Sequence, residues 1–256
     1  MCAALVLVSV GPPRTGVYRV ARRSAEVFFP PPWEHARLDG TFGSRFDDPS
    51  AAEDGGGGNH DRYRVVYCAT DRRAAIAATL EPLRHPLRVL VPAVDVETVS
   101  SAIAQSGVSE SEVRAVIPVE WRQSRHIGHT FLDPSMQFVD LTAPDSIQHL
   151  RQTLAPIAHR LGFTDVDLGA MAGPERELTR ACARYIYDLT DAQQRPLYGG
   201  LRYLSRLGSS WECWAIFHDR MRHRPGEPQP IDADDPDLVA VAALFGMTIE
   251  PRLGPS

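Results

Sequence analysis

Three side chains in the first third of the chain, Arg45, Tyr67 and Glu81, are of types that bind and react with anionic nucleotides. Arg45 follows closely on the turn residue Gly43, and glycine lets backbone amides approach a ligand closely. A guanidinium in such a turn can form two hydrogen bonds to one phosphate. A carboxylate such as that of Glu81 can stabilise a cation that develops during a reaction. The set therefore indicates a pocket for an anionic substrate.

Two further polar residues, Arg19 and Ser205, lie on predicted strands that could reach the same pocket. Residues 17–20 have the composition of a short strand, whose alternation places Arg19 on the face of Val17. Ser205 comes near the end of a second predicted strand, where side chains can face a pocket. We expect these two residues to complete, with Arg45, Tyr67 and Glu81, a site for an anionic dinucleotide.

Each of these side chains also has an ordinary structural interpretation. Arg19 could extend into solvent from an edge strand, and Arg45 could pair with Asp47 or Asp48. Glu81 could simply be solvated at the end of its helix. A carboxylate at a helix C-terminus is, however, disfavoured by roughly 0.3–1 kcal/mol, which favours a functional interpretation of Glu81.

Patterns of apolar residues predict the elements that would position these side chains. A strand at 63–69 precedes a helix over 72–80, which begins at the N-cap Asp71 and stops before Pro82. The other predicted strands cover 87–94, 127–132, 137–141, 201–206 and 211–217, the last two forming a hairpin through Gly208, and the other helices cover 109–115, 146–161, 174–189 and 236–245. In the helix 146–161, Ser146 is the expected cap; the arginines at 176, 180 and 184 form a basic stripe, which we interpret as a solvated face.

Composition and charge limit the class of protein. The 256 residues are 43% hydrophobic and carry a formal net charge of -5, which argues against a protein that coats nucleic acid. No segment is apolar over the roughly 20 residues that a transmembrane helix needs. The sequence therefore predicts a soluble cytoplasmic protein that does not bind membranes or nucleic acid directly.

The four cysteines are scattered without a CxxC pair, so the sequence predicts buried free thiols rather than a structural zinc site. His126 and His129 lack the spacing and the acidic partner of a metal site. We expect no metal. The segment from Ser50 to His60 contains four consecutive glycines and is interpreted as a flexible insert, since it lacks the Lys-Ser/Thr end of a phosphate-binding Walker motif.

The order of several short motifs resembles RES-domain proteins. The motifs are Tyr-Arg-Val at residues 18–20, Gly-Ser-Arg-Phe-Asp-Asp-Pro at 43–49, Val-Val-Tyr-Cys-Ala at 65–69, the helix-ending Glu81, and Gly-Leu-Arg-Tyr-Leu-Ser-Arg-Leu-Gly at 200–208 before Trp-Ala-Ile-Phe. The resemblance covers about residues 16–218 and implies one RES-like domain over 1–256, with the insert at 50–60 and a short helix at about 236–245 added to the motif-bearing core. It also implies an α+β fold similar to ADP-ribosyltransferases, with a split, mostly antiparallel β core and flanking helices.

The resemblance further implies a substrate and a set of residue roles. RES-domain proteins are similar to enzymes that consume NAD, and many are toxins paired with an Xre-like antitoxin. By this resemblance Arg19 and Arg45 would hold the phosphates and ribose of NAD, Tyr67 would orient the nicotinamide side, Glu81 would be the catalytic carboxylate, and Ser205 would complete the polar set. The turn departs from the family pattern Gly-Gly-Arg-Trp-Asn, and an acidic Asp47 near the phosphates would weaken binding.

Three functions are compatible with these residues. The first is an NAD glycohydrolase or phosphorylase that is the toxin of a toxin–antitoxin pair. The second is a protein mono-ADP-ribosyltransferase that uses the same pocket. The third is a non-enzymatic module that binds a nucleotide or a partner. Retention of arginine, tyrosine, glutamate and serine together favours an enzyme.

Overall fold

The computed structural model describes residues 6–22, 27–49, 62–84 and 115–251. They form an α+β fold with a mostly antiparallel mixed sheet of nine strands and flanking helices. The strands are β1 (Ser9–Val10), β2 (Val17–Ala21), β3 (Val65–Ala69), β4 (Val116–Ile117), β5 (His126–Leu132), β6 (Phe138–Asp140), β7 (Gly200–Ser205), β8 (Gly208–Phe217), β9 (His223–Pro225), β10 (Gln229–Pro230) and β11 (Thr248–Ile249). The helices are α1 (Arg72–Leu80), α2 (Val119–Gln123), α3 (Pro144–Thr153), α4 (Ala155–Arg160), α5 (Leu168–Ala172), α6 (Arg176–Asp188) and α7 (Pro236–Leu244).

The main sheet has the order β1-β6-β7-β8-β3-β2-β5-β10, with β9 also pairing with β5. Its neighbouring strands run antiparallel except β6 and β7, which are parallel. β4 and β11 form a separate parallel pair. Strands β2, β3 and β7, which carry three of the predicted site residues, therefore all lie in the interior of the sheet, and β8 separates β3 from β7.

The two faces of the sheet are covered differently. Val65 and Tyr67 point to a helix face, where α3 and α6 pack on the strands and α1 and α7 cover the neighbouring part. Val66 and Cys68 point to a loop face, where they pack with Val17, Val27, Phe28, Met136, Phe138 and Trp214. This division follows from the alternation of side chains along a strand. It decides below which predicted site residues can meet.

Most predicted elements in the described ranges are confirmed, with ends that shift by a few residues. Asp71 caps α1 as predicted, since its carboxylate accepts a hydrogen bond from Arg73 N at 2.7 Å. The predicted hairpin is formed by β7 and β8, although its turn falls at residues 206–207 rather than at Gly208. The predicted strand 87–94 and the glycine-rich insert 50–60 lie outside the described residues, as does the predicted helix 109–115 except for its last residue, which is not helical.

The predicted helix over 146–161 is wrong in two respects. It is two helices, α3 and α4, that meet at Leu154. Pro156 has no backbone N–H to donate to residue 152, so an uninterrupted helix would lose that hydrogen bond and meet the proline ring. Ser146 does not cap the helix, which begins at Pro144; instead it is buried, and its Oγ accepts a hydrogen bond from Val8 N at 2.9 Å.

The thiol prediction is confirmed for Cys68, Cys182 and Cys213, which are free and buried. Burial raises the pKa of both Cys68 and Cys213 to about 12. Cys2 lies outside the described residues. Within the described ranges, no helix is both long and apolar enough to cross a membrane.

A charged clamp fixes the helix that leads to Glu81. Arg72, in the first turn of α1, donates to Asp235 at 2.5 and 2.8 Å and to Asp237 at 2.9 Å, at the N-terminus of α7. The side chains of Arg72 and Asp235 are only 21% and 9% exposed, so the pair is poorly solvated. These hydrogen bonds raise the pKa of Arg72, chiefly through Asp235.

Arg72→Ala is therefore expected to lower the free energy of unfolding by about 1–2 kcal/mol, because it leaves two partly buried carboxylates without their shared partner. Urea denaturation followed by circular dichroism measures this loss. Arg73→Ala is the matched control, since Arg73 is more exposed and makes a single bond to Asp237. Equal losses in the two variants would contradict a clamp at Arg72.

Candidate functional site

The turn that carries Arg45 is built around the buried carboxylate of Asp47. Asp47 Oδ2 accepts hydrogen bonds from Phe42 N at 2.9 Å and from Ser44 N at 2.6 Å, and the residue is 5% exposed. Burial raises the pKa of Asp47, against the opposing effect of these two backbone donors. Asp47 is thus used by the turn itself. We expected this carboxylate to lie beside a bound phosphate and to weaken the binding of that phosphate. The arrangement of the turn gives that expectation no support.

Three contacts fix the turn against the sheet and α6. Phe46 N donates to the hydroxyl of Tyr67 at 2.9 Å, which ties the turn to β3. Thr179 Oγ1 donates to the carbonyl oxygen of Arg45 at 2.6 Å, and Arg180 Nε donates to Ser44 O at 3.3 Å. Arg45 is therefore held from both sides by residues distant in sequence. Such fixing is what a preorganised binding side chain requires.

Tyr67 supports the turn from the helix face. Its ring is partly buried against the core of α3 and α6, and burial followed by the charge of Asp47 raises its pKa far above the ordinary value. The hydroxyl therefore stays protonated, and it accepts the Phe46 N–H described above. The structure assigns Tyr67 a structural contact that the sequence did not predict. Its contact with a nicotinamide ring stays a prediction.

Arg45 lies in a cluster of guanidinium groups. Burial lowers the pKa of Arg45, and the charges of Arg176 and then Arg206 lower it further. Arg45 Nη1 donates to Met171 O at 2.5 Å rather than to a carboxylate. Arg176 Nη1 is buried and has no hydrogen-bond partner among the described residues. A buried guanidinium nitrogen without an acceptor is costly, so this cluster favours an anionic ligand.

Sequence reasoning missed the contribution of α6 to this cluster. Arg176, Arg180 and Arg184 were interpreted as a solvated face, and that interpretation is wrong. Arg180 donates to Ser44 O, Arg184 forms an ion pair with the buried Asp48 at 3.3 Å, and the charge of Arg176 lowers the pKa of Arg45. The signal was present in the regular spacing of the stripe. The spacing does not show which part of the chain packs on the stripe.

Glu81 lies at one side of the cluster. Its carboxylate forms an ion pair with Arg206, and the charge of Arg206 also lowers the pKa of Arg45. The side chains of Glu81 and Arg206 are 36% and 47% exposed, respectively. Ser205, the last residue of β7, precedes Arg206, and its Oγ accepts a hydrogen bond from Leu207 N at 3.1 Å. Arg206 thus pairs with Glu81 and lies close enough for its charge to act on Arg45, while Ser205 is its neighbour in sequence. This connecting residue was also missed from the sequence.

Tyr203 is a further aromatic residue beside Arg45. It precedes Ser205 by two positions on β7 and packs edge-on against Phe46, with ring centroids 5.1 Å apart. Burial raises its pKa well above the ordinary value, so it is neutral beside the guanidinium of Arg45. Its ring lies where the turn meets the sheet. It adds an apolar surface to an otherwise cationic cluster.

Arg19 leaves the sheet on the opposite side. Its alternation with Val17 is as predicted, and Val17 packs with Cys68 on the loop face, whereas Tyr67 points to the helix face. The five predicted site residues therefore do not all lie on one side of the sheet. A single shared cavity would most simply place them all on the same side. Burial lowers the pKa of Arg19, and its Nη1 is buried without a hydrogen-bond partner in the described chain. The contact of Arg19 with a dinucleotide stays a prediction.

Metal ligands and open cavities give no further assignment for this site. Among the residues that the structure describes, no group of three or more His, Cys, Asp or Glu could hold a metal ion. Two cavities, of about 700 and 320 Å³, are lined by residues other than the predicted site residues. The candidate site is thus defined by its side-chain contacts.

Comparison of the chain with models of protein families, with curated protein sequences and with solved structures finds no significant match. The resemblance to RES-domain proteins therefore rests on the motifs alone.

Proposed function

We propose that this protein binds NAD over the Arg45 cluster and cleaves the bond between nicotinamide and ribose, as a glycohydrolase or a phosphorylase. Two independent lines support the proposal. One is the resemblance of the ordered motifs to RES-domain proteins. The other is the concentration of cationic side chains around a fixed turn, with the carboxylate of Glu81 at its side. In this proposal the sheet and its helices are arranged as in ADP-ribosyltransferases.

The observation that carries the proposal is that the buried Nη1 of Arg176, whose charge acts on Arg45, has no hydrogen-bond partner among the residues that the structure describes. The charges of Arg176 and Arg206 both act on Arg45, while Glu81 is ion-paired to Arg206. Like charges brought together in a partly buried place repel one another. A pyrophosphate supplies two negative charges and several acceptor oxygens, and arginine forks match that geometry. A dinucleotide is therefore a better fit than a neutral substrate.

In the proposed reaction, the residues of the site have separate roles. Arg45 and Arg176 hold the pyrophosphate, and the aromatic ring of Tyr203 gives an apolar surface to the ligand. As the nicotinamide nitrogen takes the bonding electron pair and leaves, positive charge develops on the ribose. The carboxylate of Glu81 stabilises that charge and aligns the attacking water or phosphate, whose oxygen then forms the new bond to the ribose carbon. When water attacks, its proton passes to solvent.

The biological setting follows the same resemblance. We propose a protein of the RES-domain type that acts as a toxin and is restrained by an Xre-like antitoxin. The support for this partner is the motif order alone. The test is to express the chain in cells with and without a small helix-turn-helix protein encoded by a neighbouring reading frame, and to measure cell growth. Growth arrest that this protein relieves supports the partner.

A second candidate is a nucleotide-binding module without turnover. The pairing of Glu81 with Arg206 favours it, because an ion-paired carboxylate is a weaker stabiliser of a developing cation. The two candidates differ in one observable. A module binds NAD and releases no nicotinamide, whereas an enzyme releases it continuously.

The proposal is tested by incubating the purified protein with NAD, with and without phosphate, and measuring nicotinamide and the second product. Free ADP-ribose indicates hydrolysis, phosphorylated ADP-ribose indicates phosphorolysis, and labelled protein in a lysate indicates ADP-ribosyl transfer. NAD that stays intact under all three conditions would contradict an enzyme.

Arg45→Ala is expected to lower nicotinamide release about 10- to 100-fold, because a charge-assisted contact to phosphate is worth about 1.5–3 kcal/mol. The variant also loses the bond to Met171, so its unfolding midpoint is measured alongside. Arg160→Ala, an exposed arginine on α4, is the matched control and is expected to leave the rate unchanged. A normal rate in a folded Arg45→Ala protein would contradict the assignment.

A further inference from the structure

A cleft of about 700 Å³ lies at the edge of the main sheet, away from the residues of the Arg45 cluster. Its walls are the loop from Gly11 to Arg14, the end of β5 with the residues that follow it, and the segment from Arg222 to Arg224. This volume is in the range of small-molecule binding sites. Neither the predicted site residues nor the guanidiniums of the Arg45 cluster line it.

The loop wall of the cleft is fixed on β5. Gly16 N donates to Pro13 O at 3.1 Å, which closes the turn, and His129 Nε2 donates to Thr15 O at 2.8 Å. Gly16 has φ +77, and a Cβ there would lie 2.6 Å from both His129 Nε2 and Thr130 O. Only glycine fits this close approach. The cleft is thus formed by a tight, well-anchored turn.

The cleft carries an excess of positive charge in an acidic protein. Arg14, Arg222 and Arg224 line it together with one carboxylate, Asp133, while the whole chain has a net charge of -5. Asp133 already accepts hydrogen bonds from the backbone N and the hydroxyl of Ser135, at 2.8 and 2.6 Å. These contacts with Ser135, and the charges of Arg222 and Arg224, lower the pKa of Asp133, so its carboxylate stays ionised. Three arginines against this one carboxylate still leave the cleft with an excess of positive charge.

Two of these arginines are available for a ligand. The side chains of Arg14 and Arg224 make no hydrogen bond or ion pair with another residue in the described part of the chain, although the charge of Arg224 acts on Asp133. Arg222 makes one neutral contact, from its Nη2 to Ser135 Oγ at 3.1 Å. His223, between the last two, has a pKa lowered by burial and so adds no charge at neutral pH. The local charge favours a ligand with at least two negative charges.

An exposed aromatic side chain stands beside this charge. Phe131 is 53% exposed and lies directly opposite Arg224 in the β5–β9 pairing, so the two side chains share a face. Pro12, Pro13 and Pro134 give the cleft further apolar surface. An apolar planar group can pack on Phe131 while the arginines hold an anion.

We propose that this cleft binds a nucleoside phosphate, with the phosphates held by Arg14, Arg222 and Arg224 and the base packed on Phe131. The inference does not depend on the function proposed for the Arg45 cluster. It requires a ligand that combines a multiply charged phosphate group with a planar ring. Inorganic phosphate lacks the ring, and a neutral nucleoside lacks the charge. A nucleoside diphosphate such as ADP satisfies both requirements.

The test is calorimetric titration of the full chain with ADP, pyrophosphate and adenosine, carried out in the Arg45→Ala background so that binding at the other site is weakened. The double variant Arg222→Ala/Arg224→Ala is expected to weaken ADP binding at least about tenfold, as is expected from losing a charged contact worth about 1.4 kcal/mol. Phe131→Ala is expected to weaken ADP binding and leave pyrophosphate binding unchanged. Arg160→Ala is the control for an exposed arginine elsewhere.

The possible results separate the alternatives. Weaker binding of ADP in both cleft variants, with weak or no binding of adenosine, supports the proposal. No binding of ADP overturns it, as does ADP affinity that the double variant leaves unchanged. If pyrophosphate binds as tightly as ADP and Phe131→Ala has no effect on ADP binding, the assignment of a nucleotide is overturned and the cleft is a phosphate site only.

Discussion

Glu81→Gln is expected to lower the rate of nicotinamide release from NAD about a thousandfold, while the affinity for NAD changes little. The reason is that glutamine keeps the size of the side chain and one acceptor oxygen, while it removes the negative charge. The carboxylate would act on the positive charge that appears as the nicotinamide bond breaks, and that charge is absent in the bound substrate. The effect should therefore appear in kcat and not in the dissociation constant.

Rapid-quench measurement of kcat, beside calorimetric measurement of NAD affinity, checks this separation. Glu120→Gln is the matched control, because Glu120 is an exposed glutamate on α2 outside the site. Glu81→Gln also removes the charge that pairs with Arg206, so a stability measurement accompanies the kinetics. Full turnover in the folded variant would remove Glu81 from the mechanism, and the non-catalytic module would then be the better explanation.

The local elements around the candidate site could be predicted from the sequence. The apolar and β-branched residues of β3 indicate a strand, and Asp71 followed by an alanine-rich segment indicates α1 with its cap. These signals depend only on neighbouring residues. The same is true of the alternation that places Arg19 with Val17. Short-range patterns therefore located each predicted side chain on the correct element.

The partners of those side chains could not be predicted in the same way. Strand alternation gives the face of each residue relative to its own strand, but not which faces of two strands coincide. Arg19 shares its face with Cys68 rather than with Tyr67 because of the register between β2 and β3, where Tyr18 lies opposite Ala69. That pairing joins residues about 50 positions apart, and no local signal encodes it.

The basic stripe of α6 shows the same limit for helices. Spacing correctly grouped Arg176, Arg180 and Arg184 on one side, but it could not show that the Arg45 turn packs there. The turn is held in place by Asp47, Tyr67 and Thr179, each through backbone groups of the turn. Because sequence patterns are read from side chains, contacts to backbone atoms of a distant turn leave no signal.

The strand that carries Tyr203 and Ser205 depends on one glycine. Gly200→Ala is expected to lower the free energy of unfolding by about 3–5 kcal/mol. Gly200 has φ +154, and a Cβ there would lie 2.1 Å from Ala215 O and 2.9 Å from Ile216 Cα. These are backbone atoms of the neighbouring strand β8, so no side-chain rotation relieves the contact. Relief requires β7 to move away from β8, where the two strands share an extensive ladder.

Urea denaturation of Gly200→Ala beside Gly162→Ala separates this collision from the general cost of replacing a glycine. Gly162 has φ +81 after α4, but a Cβ there would meet no atom within 4 Å. Its replacement should cost only the backbone strain of about 1–2 kcal/mol. Equal losses in the two variants would mean that β7 and β8 separate easily. In that case the positions of Tyr203 and Arg206 near Arg45, and of Ser205 between them on the chain, would not be rigidly held, and a preorganised site on this strand would lose its structural basis.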